Sequence, residues 1–187
     1  MDNINYNRSI NLVEDGISIE SQRNIEYQLL SPMFPWYYQK KSTSIKYNKL
    51  SERESPYFSH IFNDIGRRGN GYHASIIKRH FSDIFKNIAN FYNASNVTVY
   101  RSKCNFYKKT NNIFEYRHLP LHVDLPTKHI VIIYYVNDSD GKTVFENGEK
   151  VSPKRGRLIF FDGSLKHSMF LPRFHDRLAI NMDVGFT

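Results

Sequence analysis

The sequence predicts a mainly β fold of jelly-roll, cupin-like type with helices packed on its outside. Three observations predict it: a C-terminal half of short apolar strands without helical period, turn signals that close those strands as hairpins, and one amphipathic segment ahead of them.

The amphipathic segment is SIIKRHFSDIFKNIANFY, residues 75 to 92. Ile77, Phe81, Ile84, Phe85, Ile88 and Phe91 recur there at helical spacing, with charges opposite. This pattern predicts a helix that buttresses a sheet. Strand signals follow. VTVYRSKCNFY (97–107) is β-rich, KHIVIIYYVN (128–137) reads as a buried strand, and NDSDG (137–141) is a turn cluster. KTVFE and EKVS flank Asn147-Gly148, a strong two-residue hairpin signal. RGRLIFFDG (155–163) and RLAINMDVG (177–185) are further strands, and segments near 114–121 and 167–171 complete the set. The first fifty residues are aromatic and polar with weak periodicity and read as flanking structure.

A chain of 187 residues suits a single domain. Its expected parts are an N-terminal flanking and helical support region over 1–95 and a β core over 96–187. Cys104 is the only cysteine, which points away from a disulfide-stapled secreted domain and toward a reducing compartment. MDNINYNRSI has no signal-peptide pattern, and the apolar run IVIIYYV (130–136) is too short to span a bilayer. The expectation is a soluble, cytoplasmic protein with no membrane partner. The net charge of +8 and the basic–aromatic runs FPWYYQKK (34–41) and NFYKKT (105–110) suit nucleic acid or another acidic partner. Net charge alone, however, speaks to solubility and encounter rather than to reaction.

The chemistry concentrates around HLPLHVDLPTKH, residues 118 to 129, with three histidines and one aspartate in a proline-interrupted stretch. His122 and Asp124 are spaced i, i+2. At a strand end that spacing projects an imidazole and a carboxylate to one side, where both can reach one metal ion. A third ligand has to come from another strand, and His167 in DGSLKHSMFLP, just after the strand LIFF, is the candidate. Two histidines and one carboxylate make the facial triad of non-haem iron(II) oxygenases. His118, before a proline loop, His129, entering a buried strand, and His175, in the turn FHD, read as non-ligands. Ten residues beyond His167, Arg177 opens the last strand, and its planar fork suits a carboxylate.

These motifs together resemble the catalytic core of the iron(II)- and 2-oxoglutarate-dependent dioxygenases, in particular the prolyl-4-hydroxylase-like branch, over about residues 97–184. In order they read HVD, IYYVN, DGKT, PKRGRLIFF, KH and RLAI. The resemblance implies a double-stranded β-helix. It also implies Fe(II) on His122, Asp124 and His167, with 2-oxoglutarate and O2 as cosubstrates and ascorbate in support. It further implies that Tyr135 joins Arg177 at the distal carboxylate of 2-oxoglutarate, with Tyr107 and Asn105 lining the same pocket. Period two along the last strand turns Ala179, Asn181 and Asp183 the same way as Arg177. At Asp183 the chain departs from hypoxia-sensing prolyl hydroxylases, which tend to carry a bulky aromatic there.

The implied activity is hydroxylation of a peptide, protein or small molecule, with release of succinate and CO2. Two other classes stay open. One is a nucleic-acid demethylase or hydroxylase on the same core, to which Asn105-Phe106-Tyr107 bears a likeness. The other is a jelly-roll binding protein without catalysis. The loop TNNIFEYRHLP (110–120) reads as a lid over the substrate.

Overall fold

The computed structural model describes residues 9–40, 56–64, 74–110 and 118–186. In chain order the elements are β1 (Asn11–Val13), α1 (Ile19–Leu29), β2 (Tyr37–Gln39), β3 (Tyr57–Asp64), α2 (Ala74–Phe91) and β4 (Val97–Tyr107). There follow β5 (Ile130–Tyr135), β6 (Thr143–Phe145), β7 (Lys150–Val151), β8 (Leu158–Asp162), β9 (His167–Met169) and β10 (Arg177–Phe186). Seven strands form one antiparallel sheet in the order β1-β8-β5-β10-β4-β3-β2, and three form a second in the order β7-β6-β9.

Both faces of the large sheet are covered, which is why β5 is apolar throughout rather than alternating. Ile130, Ile132 and Tyr134 point to the helical layer, where Phe81, Ile84 and Ile88 of α2 join their core. Tyr134 meets Phe81 edge to face with ring centroids 5.2 Å apart. Val131, Ile133 and Tyr135 point the other way and pack with Phe145 of β6 and Val151 of β7. Each of these fully buried large apolar side chains contributes about 1.5–3 kcal/mol.

The helix expected over 75–92 forms, but its buried stripe is rotated at the end. Phe91 is 56% exposed, whereas Ile76, Ala89 and Tyr92 are buried. Tyr92 stacks on Phe186 of β10 at 5.6 Å, so the last turn is set by a tertiary contact rather than by helical period. The side chain of Ile77 lies outside the described residues.

The N-terminal region does more than flank. β1 pairs with β8 at one edge of the large sheet, and β3, with β2 beyond it, extends the other edge from β4. α1, which no periodicity announced, begins at Ser18, whose hydroxyl accepts the N–H of Ser21 at 3.2 Å. It buries Ile25, Leu29 and the polar Gln22, whose amide donates to the Ile17 carbonyl at 3.1 Å. Of the strand expected near 114–121, the described part makes only an isolated bridge, His118 to Phe170. Residues 111–117, which carry most of the expected lid, lie outside the described residues. The hairpin at Asn147-Gly148 forms, with Gly148 at φ 87°, a conformation that favours glycine.

Candidate metal centre and anion pocket

His122 and His167 are brought together by backbone pairing. Each donates its N–H to the other's carbonyl at 3.0 Å, which extends the small sheet by one bridge and puts both imidazoles on one face. Their ring centroids are 5.0 Å apart. The Nδ1 atom of His122 lies 3.2 Å from the Pro120 carbonyl, and that of His167 lies 3.3 Å from the Leu165 carbonyl. A carbonyl only accepts, so each Nδ1 carries a proton and each Nε2 is left to face the site.

Asp124 completes the group: its carboxylate and the two imidazoles offer ligand atoms within 4.8 Å of one another. Its Oδ2 lies 3.2 Å from Nε2 of His167. Burial would raise the Asp124 carboxyl, but the outweighing pull of His167, Lys103 and Arg101 holds it well below the usual range. Burial pushes His122 down, and neighbouring His167 adds to the effect, which keeps its imidazole neutral as a ligand requires. Two imidazole nitrogens and one carboxylate oxygen, all deprotonated toward one point, fit a divalent first-row metal ion.

The second half of the site is an anion pocket. Register places Tyr107 opposite Arg177, Asn105 opposite Ala179, Lys103 opposite Asn181 and Arg101 opposite Asp183, one polar row across β4 and β10. A cavity of about 50 Å³ is lined by His122, His167, Lys103, Asn105, Tyr107 and Arg177, with Thr143 at its wall. Arg177 is 4% exposed, and among the described residues no carboxylate pairs with it. Its Nη2 donates to Thr143 Oγ1 at 3.2 Å, its Nε has no partner, and its guanidinium lies 5.6 Å from the Tyr135 ring centroid. Tyr135 and Thr143 share a 2.7 Å hydroxyl contact. A buried guanidinium without a counter-ion is costly, so this corner is built for an anion.

Glycine makes the room. A Cβ at Gly141 would meet the Phe170 carbonyl oxygen at 3.0 Å and Cδ of Arg177 at 3.1 Å. Opposite, Tyr107 stacks on Tyr57 with centroids 4.7 Å apart and planes 6° apart, and burial raises both phenols.

The expected site residues therefore converge: His122, Asp124 and His167 in one group, Asn105, Tyr107 and Arg177 around one cavity, and Tyr135 against Arg177. His118, His129 and His175 lie outside the group. So does Asp162, whose Oδ1 accepts the N–H of Ser164 at 2.8 Å. Sequence reading missed Lys103, Arg101, Thr143 and Tyr57. Lys103 and Arg101 follow from Tyr107 and Asn105 by counting in twos along β4, and Thr143 closes the DGKT motif, to which sequence reading assigned no site role; Tyr57 carries no such signal.

No protein-family model matches the chain, and no curated protein matches it. Solved structures do match. A 2OG-Fe(II) oxygenase-family oxidoreductase from Burkholderia pseudomallei superposes with TM-score 0.71 at 10% identity, covering 94% of this chain and 84% of that one. The viral collagen prolyl hydroxylase of Paramecium bursaria Chlorella virus-1, solved with 2OG, gives 0.61 at 14% identity over 94% of each chain. A Trichoplax adhaerens prolyl hydroxylase in complex with a peptide fragment gives 0.61 at 16%, covering 95% of this chain and 83% of that one. The fold is that of the 2-oxoglutarate- and iron(II)-dependent oxygenases. In this oxygenase fold the His-Asp-His group and the Arg177 pocket lie between the two sheets, and the jelly roll expected from the strand pattern is the architecture found. No described helix is long and apolar enough to cross a membrane.

Proposed function

We propose that this chain is an Fe(II)- and 2-oxoglutarate-dependent dioxygenase that hydroxylates a peptide, protein or small molecule and releases succinate and CO2. The observation that carries the reading is one cavity lined both by His122 and His167, two members of the three-residue candidate ligand group, and by a buried arginine without a counter-ion.

His122, Asp124 and His167 would hold Fe(II), which when bound supplies O2 activation coupled to oxidative decarboxylation of the keto acid. Arg177 would pair with the far carboxylate of 2-oxoglutarate, while Thr143 and Tyr135 fix the plane of its fork. Asn105, whose Oδ1 is buried without a partner, and Tyr107 would line the cosubstrate's flank. The apolar wall from Ile133 and Met169 excludes water, which strengthens each polar contact inside.

The test is succinate formation by purified protein with Fe(II), 2-oxoglutarate, ascorbate and O2, stimulated by pools of peptides, oligonucleotides and small molecules. Peptides come first, because two of the three structural neighbours named above are prolyl hydroxylases. Stimulation by one pool identifies the substrate class. Protein that binds neither metal nor 2-oxoglutarate would refute the reading and favour a binding protein without catalysis.

A further inference from the structure

Arg101 of β4 sits between two buried carboxylates. Its Nη2 donates to Oδ1 of Asp124 at 2.5 Å and its Nε donates to Oδ2 of Asp183 at 2.7 Å. The side chains of Asp124 and Asp183 are 2% and 1% exposed and that of Arg101 is 19% exposed. Nε and Nη2 are neighbouring donors on one edge of a rigid planar fork, so holding both carboxylates fixes the guanidinium in place and in plane.

We propose that Arg101, braced by Asp183, is a positioning residue for the metal: it occupies Oδ1 of Asp124 so that Oδ2 alone is presented beside the two histidines. This rests on the metal-centre reading above. Oδ2 of Asp124 is buried, accepts no hydrogen bond, and lies 3.2 Å from Nε2 of His167, so the two carboxylate oxygens already have separate tasks. A carboxylate free at both oxygens can rotate or chelate through both. That would use a coordination position a cosubstrate or O2 needs.

Asp183 is the brace because it stands directly opposite Arg101 in the β4–β10 register, at the point where a bulge follows between Asp183 and Val184. On its far side the Oδ1 of Asp183 lies 3.9 Å from Nε2 of His129, which closes it off from the metal group. Lys103 lies within electrostatic range of both carboxylates and moderates their repulsion without taking either oxygen that Arg101 holds. A lysine at 101 could not replace the arginine, since one ammonium cannot span both carboxylates in a fixed plane. An ion pair of this kind adds little to stability by itself, so its arrangement points to orientation rather than to holding the fold together.

The experiment titrates Mn(II) into wild type, Arg101→Gln, Arg101→Lys, Asp183→Asn and the double variant without 2-oxoglutarate, and records the visible spectrum of the Co(II)-loaded forms. Circular dichroism tracks folding. Arg101→Gln should weaken Mn(II) binding by about 10- to 100-fold and change the Co(II) spectrum as Oδ1 is released. Asp183→Asn should weaken binding less, and adding it to Arg101→Gln should cost nothing further, because the brace acts only through Arg101. Arg101→Lys should fall between. If Arg101→Gln does not fold, Arg101→Lys and Asp183→Asn decide the matter. Folded variants with wild-type Mn(II) affinity and an unchanged Co(II) spectrum overturn the proposal. Wild type that binds neither ion overturns the metal-centre reading instead.

Discussion

His122 and His167 are bonded to each other twice through their backbones, at 3.0 Å each way, while their side chains offer the candidate metal-binding nitrogens. Structure and chemistry at this pair are therefore separable. Asp124→Ala and His167→Ala should lose Mn(II) binding and 2-oxoglutarate turnover yet keep the fold, because the backbone pairing does not depend on those side chains; His167→Ala should also melt somewhat lower, since its ring packs edge to face on Phe161 of β8 at 4.9 Å. Calorimetric titration with Mn(II), beside a thermal melt, checks this. Folded Asp124→Ala with near wild-type turnover would remove Asp124 from the ligand set.

Arg177 should govern cosubstrate affinity. Arg177→Met in the Mn(II)-loaded protein should abolish measurable 2-oxoglutarate binding, since each charge-assisted contact is worth about 1.5–3 kcal/mol. Thr143→Val, which removes the hydroxyl that accepts from Nη2, should weaken binding by roughly tenfold, the equivalent of about one hydrogen bond. Unchanged affinity in Arg177→Met would place the carboxylate elsewhere.

Gly141 should prove intolerant of even a methyl group. In Gly141→Ala the added carbon crowds the Phe170 carbonyl, Arg177 and Cβ of Pro172, with distances of 3.0, 3.1 and 3.3 Å. Relief requires moving Arg177 or the backbone at 170–172, at an expected cost of about 1–3 kcal/mol and with weaker 2-oxoglutarate binding. Urea unfolding and calorimetry read the two effects. A variant with wild-type stability and affinity would show that this corner is looser than its contacts imply.

The turn before Arg177 should be acid-sensitive. Asp140 accepts the N–H groups of Arg173, Phe174 and His175 at 2.8, 3.1 and 3.1 Å, and Asp176 accepts from Lys108 Nζ at 2.6 Å. Burial opposes ionisation at both, but these donors outweigh it and hold both carboxyls below their ordinary value of 3.8. A depressed folded pKa means the stabilisation is complete above the unfolded value and is lost as pH falls through the folded one. Asp140→Asn should cost about 1–2 kcal/mol at neutral pH, allowing for its partial exposure, and progressively less as the pH drops below about 4. Urea midpoints across that range give the comparison. A constant gap down to strong acid would contradict the assignment.

Strand-forming residues, the hairpin at Asn147-Gly148 and the order of His122, Asp124, His167 and Arg177 were legible in the sequence, because each rests on local period, turn chemistry or a short spacing. β1 and β2 were not, since three-residue edge strands carry too little alternation to stand out and form only because β8 and β3 offer them partners. The last turn of α2 followed Tyr92 and Phe186 rather than its own period.

The sequence by itself determined the candidate ligand types, the arginine and the strands that carry them, because backbone sterics and side-chain alternation act within a few residues. Only the tertiary structure decided that Arg101 reaches Asp124, 23 residues on, and Asp183, 82 residues on, or that Thr143 meets an arginine 34 residues away. Those contacts depend on strand order and register, which are set by how the two sheets bury their apolar faces, and no local pattern along the chain records them.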